Sequence, residues 1–106
     1  MTSTGHARVL QVVLALEPGG TERLVLELVR RLHGAVPMAV CCLDAQGAWG
    51  EQLQSEGISV TALGRTPGFH PLLGKRIAEA ARRHRATMIH AHHYSPFVYS
   101  ALARVW

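Results

Sequence analysis

Two clusters in this chain have the residue types and spacing to do chemistry: Gly19-Gly20-Thr21, between an apolar run and an amphipathic stretch, and His90-Ala91-His92-His93. Paired glycines have no Cβ, so they allow positive φ and let a ligand come close to the backbone. If a helix opens near Thr21, its first amides point outward without partners, and the helix dipole favours an anion such as a phosphate there. The same pair also suits a tight strand-to-helix turn with no ligand, and both readings stand at this point. The better known phosphate fingerprints are missing. No third glycine follows at dinucleotide-fold spacing, and no Gly-Lys-Ser or Gly-Lys-Thr marks a P-loop.

The histidine cluster admits three uses. Strand alternation puts His90 and His92 on one face and His93 on the other. Zinc needs three or four ligands, and no Cys or carboxylate motif at familiar spacing completes a set, so no metal is expected. What remains is a hydrogen-bonded anchor for a strand end, or contact with a polar substrate, since imidazole can both donate and accept near neutral pH.

These clusters need elements to position them. Val9 to Leu16 reads as a buried strand, and Leu24, Val25, Leu28, Val29 and Leu32 give the following stretch a helical apolar face that stops at His33-Gly34. Met38 to Leu43 is a second strand, Asp44 to Gly47 a turn, and Glu51 to Ser55 a short helix ended by Gly57. Ile58 to Leu63 is a third strand, Gly64 to Pro71 an irregular connection, and Leu72 to His84 a long helix with Leu73, Ile77, Ala80 and Ala81 inward. Thr87 to Ala91 is a fourth strand, and Pro96 is placed to open a last helix. Strands alternating with helices predict an α/β fold: a Rossmann-like parallel sheet with helices on both faces. In the usual 3-2-1-4 order the first and fourth strands are neighbours, so the loops at Glu17 to Thr21 and His90 to Pro96 face one crevice beyond the strand carboxyl ends.

Composition narrows the setting. The 106 residues carry 11 basic and 7 acidic side chains, a formal charge of +4, with the basic ones concentrated between Arg65 and Arg85, which favours anionic partners. Cys41 and Cys42 are adjacent on a strand and point to opposite faces, so they read as reduced core thiols and imply a cytoplasmic setting. No signal-peptide core or membrane-spanning apolar run is visible. Phe97, Val98, Tyr99, Ala101, Leu102, Val105 and Trp106 line one face of the last helix, and the sequence stops on it, which reads as a truncated domain. Asp44, at the end of the second strand, reads as a turn residue in preference to a ribose-binding carboxylate because the glycine fingerprint is missing.

Glu17-Pro18-Gly19-Gly20-Thr21-Glu22-Arg23 after a first strand, then Leu24-Val25-Leu26-Glu27-Leu28-Val29-Arg30-Arg31-Leu32, and later Ile89-His90-Ala91-His92-His93-Tyr94-Ser95-Pro96, closely resemble the N-terminal domain of family 4 glycosyltransferases. The resemblance runs from about Arg8 to Arg104. It implies a GT-B enzyme of two Rossmann-like domains that transfers a sugar from a nucleotide-sugar to an acceptor with retention at the anomeric carbon. Residues 1–106 would be a partial, acceptor-side domain, the incomplete N-terminal half of that fold, with the C-terminal donor-binding domain absent and the isolated fragment inactive. Gly19, Gly20 and Thr21 match the loop that approaches the donor diphosphate. His92 matches the catalytic histidine near the donor sugar, and His93 and Tyr94 fall on the acceptor side.

The resemblance also implies no cofactor and no divalent metal, the nucleotide-sugar being a substrate and protein amides and basic groups stabilising the diphosphate leaving group. Its partners would be that donor, a sugar or lipid-linked acceptor and the missing domain, with no nucleic acid. Lys75, Arg76, Arg82, Arg83 and Arg85 give the long helix a basic side, with Glu79 able to pair with Arg82 or Arg83. That side reads first as a solvated helix face, and alternatively as a surface for peripheral contact with anionic lipid at the inner face of a membrane. The alternative is a standalone module binding a phosphate-bearing ligand without catalysis.

Overall fold

The computed structural model describes residues 7–16, 20–92 and 94–106, leaving the side chains of Thr21 and Tyr94 outside the description. Its elements run β1 (Val9–Val13), α1 (Gly20–Leu32), β2 (Met38–Cys42), α2 (Gly47–Ser55), β3 (Val60–Ala62), α3 (Leu72–His84), β4 (Met88–Ala91) and α4 (Tyr94–Ala103). The strands form one parallel sheet in the order β3-β2-β1-β4. Parallel neighbours cannot be joined by a tight turn, so each connection carries a helix.

Alternation along the strands sorts the core into two layers. Leu10, Val12, Ala39 and Cys41 face α3 and α4, meeting Leu73, Ile77, Ala80, Tyr99 and Ala103. Val13, Val40, Cys42 and Val60 face α1 and α2, meeting Val25, Leu26, Val29 and Leu53. The two cysteines therefore point to opposite sides. Both are buried free thiols, and loss of hydration pushes each up to about 12. This is the Rossmann-like α/β sheet, covered on both faces, that the alternating pattern predicts.

Several details differ from the sequence reading. On α1 the buried residues are Val25, Leu26 and Val29, whereas Leu24 is 64% exposed. The helix is apolar over more than one stripe, so periodicity alone did not select its inward side. α2 begins at Gly47 rather than Glu51, using a positive φ of 76° there. β1 pairs only to Val13, but Asp44 N–H still donates to the Leu14 carbonyl at 2.8 Å and Trp49 N–H to the Leu16 carbonyl at 3.0 Å. That tie to the following loop explains the apolar run through Leu16.

α4 shows the largest difference. Its buried residues are Pro96, Tyr99, Ser100 and Ala103, while Phe97, Val105 and Trp106 are exposed. Close packing on α3 selects that side: a Cβ on Gly74 would lie 2.9 Å from Leu102 backbone, so the two helices meet at close range. Pro96 falls inside the first turn of α4, where its missing N–H costs no helical bond. On α3, no salt bridge joins Glu79 to Arg82 or Arg83 among the described residues, and Arg82 instead donates to the Trp106 carbonyl.

Candidate active site at the carboxyl edge of the sheet

β1 and β4 are neighbours with Val12 paired to Ala91, and one residue later His92 N–H donates to the Val12 carbonyl at 3.0 Å. His92 thus stands at the carboxyl end of β4, beside the end of β1. The chain leaving β1 returns as α1 at Gly20, so Gly20 and Thr21 occupy the amino end of a helix whose first amides have no intrahelical partners. Glu22 lies in that first turn and Arg30 and Arg31 in the last, complementing the helix dipole. Gly19 and His93 lie outside the described residues. Tyr94 opens α4.

The His92 ring is held from below. Its Nε2 lies 2.8 Å from Gln11 Oε1, and the Gln11 amide nitrogen donates to Met38 Sδ at 3.7 Å. Gln11 is only 1% exposed, a buried amide in the middle of an otherwise apolar strand. With its amide oxygen facing the ring, Nε2 carries the hydrogen and donates. His90 lies on the same face, its ring centroid 4.2 Å from that of His92 at an angle of 49°. The structure therefore gives His92 an anchoring role that sequence reasoning treated only as an alternative. Gln11 was missed altogether, although one polar residue in Val9–Val13 was a legible signal.

The same edge is lined further along by the connection after β3. Gly64 N–H donates to the Asp44 carbonyl and Arg65 N–H to the Leu43 carbonyl, at 3.0 and 2.8 Å, folding the segment back over the end of β2. Arg65 then grips the Asp44 carboxylate, Nε to Oδ1 at 2.9 Å and Nη2 to Oδ2 at 3.4 Å. Asp44 is thus neither a bare turn residue nor a free ribose ligand. Beyond it, His70 N–H donates to the Tyr99 hydroxyl at 3.1 Å, bringing this connection onto α4. Among the described residues no group of three or more His, Cys, Asp or Glu is arranged to hold a metal ion.

Comparison with known proteins decides what this arrangement belongs to. The sequence profile described as Glycosyltransferase Family 4 matches residues 18–106, taking in both the glycine turn and the histidine strand end. The chain belongs to glycosyltransferase family 4. No curated protein and no solved structure matches it. The family 4 match begins at Pro18, after β1, and continues through Trp106. A glycosyltransferase domain works on a sugar donor and an acceptor, and its Rossmann-like sheet here carries its open polar edge at the strand carboxyl ends. None of its described helices is long and apolar enough to cross a membrane.

Proposed function

We propose that this domain forms the acceptor-side wall of a two-domain GT-B cleft in a retaining, nucleotide-sugar-dependent glycosyltransferase. The observation that carries the reading is the family match across both clusters, with β1 and β4 as adjacent parallel strands so that both clusters leave one edge. The donor diphosphate lies against the α1 amino end, at Gly19, Gly20 and Thr21, where outward amides meet its charge. His92, held by Gln11, presents its ring to the donor sugar, and His93 and Tyr94 lie toward the acceptor. In the reaction the bond from the anomeric carbon to the diphosphate oxygen breaks. The acceptor hydroxyl bonds to the same face of that carbon, and its proton passes to the departing diphosphate.

The nucleotide-sugar is a substrate in this reading, and no cofactor or metal is required. A second Rossmann-like domain supplies the opposing wall and most nucleotide contacts, since transfer needs a donor held from both sides. The test is sugar transfer from a panel of nucleotide-sugars, with this domain joined to the donor-binding half of a family 4 enzyme. His92→Ala should lower turnover by about a hundredfold or more, the scale of a positioned polar group at a reacting centre, and the product should keep the donor's anomeric configuration. Full turnover in His92→Ala, or an inverted product, overturns the assignment.

The same reading places the protein in the cytoplasm, at the inner face of the membrane. The exposed basic residues of α3 and its end, Lys75, Arg76, Arg82, Arg83 and Arg85, would meet anionic lipid. Sedimentation with vesicles should require anionic lipid and weaken as salt rises. Equal binding to neutral vesicles would remove this electrostatic role.

A further inference from the structure

Phe69 is unusual among the aromatic residues because the fold both fixes it and leaves it in solvent. Its ring stacks on Tyr99 with centroids 5.7 Å apart and planes 19° from parallel, yet Phe69 is 64% exposed and Tyr99 only 4%. The backbone is tied at the same point by His70 N–H donating to the Tyr99 hydroxyl, while Gly68 turns the chain with a φ of 105°. A rigid, exposed aromatic face is costly to leave in water unless something covers it.

Next to it lies polar chemistry of a particular kind. A cavity of about 350 Å³ is lined by Arg65, Gly68, Phe69, Ser95, Val98 and Tyr99. Arg65 also lines a polar cavity of about 390 Å³ with Asp44 and one of about 260 Å³ with His70 and Arg76. The Asp44–Arg65 pair is half-buried, with side chains 39% and 23% exposed, and the guanidinium has N–H donors beyond the two spent on Asp44. Such a pair offers acceptor and donor side by side, which suits neighbouring hydroxyl groups. A phosphate would meet the Asp44 carboxylate as well as the cation, so an uncharged ligand fits better.

From this juxtaposition we infer that the Phe69 face and the Asp44–Arg65 pair form a subsite for an uncharged, polyhydroxylated ring, the sugar of the acceptor. Its C–H face lies on Phe69, whose π surface attracts weakly positive hydrogens. Its hydroxyls bond to Arg65, Asp44 and the Ser95 hydroxyl. Ser95 follows His92 by three residues, so the subsite adjoins the end of β4. The assignment rests on the glycosyltransferase reading and deepens it by naming the chemical class that the acceptor side takes.

The experiment is amide NMR of the 106-residue chain titrated with methyl hexopyranosides of gluco, manno and galacto configuration, with glucose 6-phosphate and nucleotide-sugars as separate arms. At least one glycoside should shift the amides of Gly68, Phe69 and His70, and the sugar's own C–H signals should move upfield under the ring. Phe69→Leu keeps apolar bulk against Tyr99 but removes the aromatic face. It should weaken binding about tenfold, the scale of one lost aromatic contact, and Arg65→Gln should weaken it comparably. No glycoside shifts in this connection, or shifts unchanged in Phe69→Leu, overturn the subsite. Tighter, Arg65-dependent binding of glucose 6-phosphate also overturns it, in favour of an anion site. Nucleotide-sugar shifts at Gly20 and His92 without glycoside shifts would remove this subsite alone. Glycoside shifts that weaken in Phe69→Leu, with no sugar transfer from any nucleotide-sugar once the domain is joined to a donor-binding half, would remove the donor reading and leave the ring site standing.

Discussion

At the amino end of the sheet, Arg8 N–H donates to Thr87 Oγ1 at 3.0 Å, Arg8 Nε to the His84 carbonyl at 2.8 Å, and Val9 N–H to the Pro37 carbonyl at 2.9 Å. At the carboxyl end, His92 rests on the buried Gln11 amide, while Asp44 and Arg65 border open cavities beside the exposed Phe69 ring. Both ends belong to the same strands and rest on the same two core layers. At the amino end the Arg8 and Thr87 side chains tie the chain together, whereas at the carboxyl end the Asp44–Arg65 pair is held in place and stays half-exposed beside open cavities. Ligand chemistry in a parallel sheet belongs at the second kind of end, because helix amino ends and strand carboxyl ends converge there.

The sheet interior that both ends share should set the largest effect. Burial lifts the Cys41 and Cys42 thiols from an ordinary 9.0 to about 12, so the unfolded chain ionises first. Stability should be full below about pH 9 and fall as pH rises toward 12, with a slope near ~1.4 kcal/mol per pH unit for each thiol. Denaturant unfolding across that range checks this, and replacing both cysteines by alanine should flatten the slope. A slope unchanged in that variant would place the alkaline weakness elsewhere.

Mutations at the two ends should then diverge. His92→Ala leaves the buried Gln11 oxygen without its donor, at a cost of about 1–3 kcal/mol, and adding Gln11→Leu should recover much of it. Gln11→Leu alone should lower transfer about tenfold by releasing the ring, a loss of the order expected for a misplaced group. Thr87→Val at the other end should cost about 1 kcal/mol and leave transfer unchanged. Equal effects on transfer from Gln11→Leu and Thr87→Val would dissolve the contrast between the ends.

Much of this contrast was legible in the sequence, for reasons that differ by residue. Four apolar runs separated by helical stretches specify parallel strands, and the usual 3-2-1-4 order of a doubly wound sheet puts β1 beside β4, as observed. Gly20 and His92 were placed at the carboxyl edge by their position just after apolar runs, and the structure puts them at the start of α1 and the end of β4. The Gln11–His92 contact was not legible, because its partners are 81 positions apart and only the register of β1 on β4 brings them together. The inward sides of α1 and α4 were not legible either. Both helices carry apolar residues on more than one side, and packing against α2 and α3 settles which are buried. Phe69 gave no periodic signal, since it lies in an irregular connection whose course depends on Tyr99.

The most direct test of the site is amide NMR mapping of a nucleotide-sugar titration, resolved by end of the sheet. Shifts should concentrate at Gly20, Thr21, Ala91 and His92 and be small at Arg8, Val9, Arg85 and Thr87. Shifts centred on the amino end, or spread evenly over both ends, would contradict the placement of the donor crevice and the functional reading built on it.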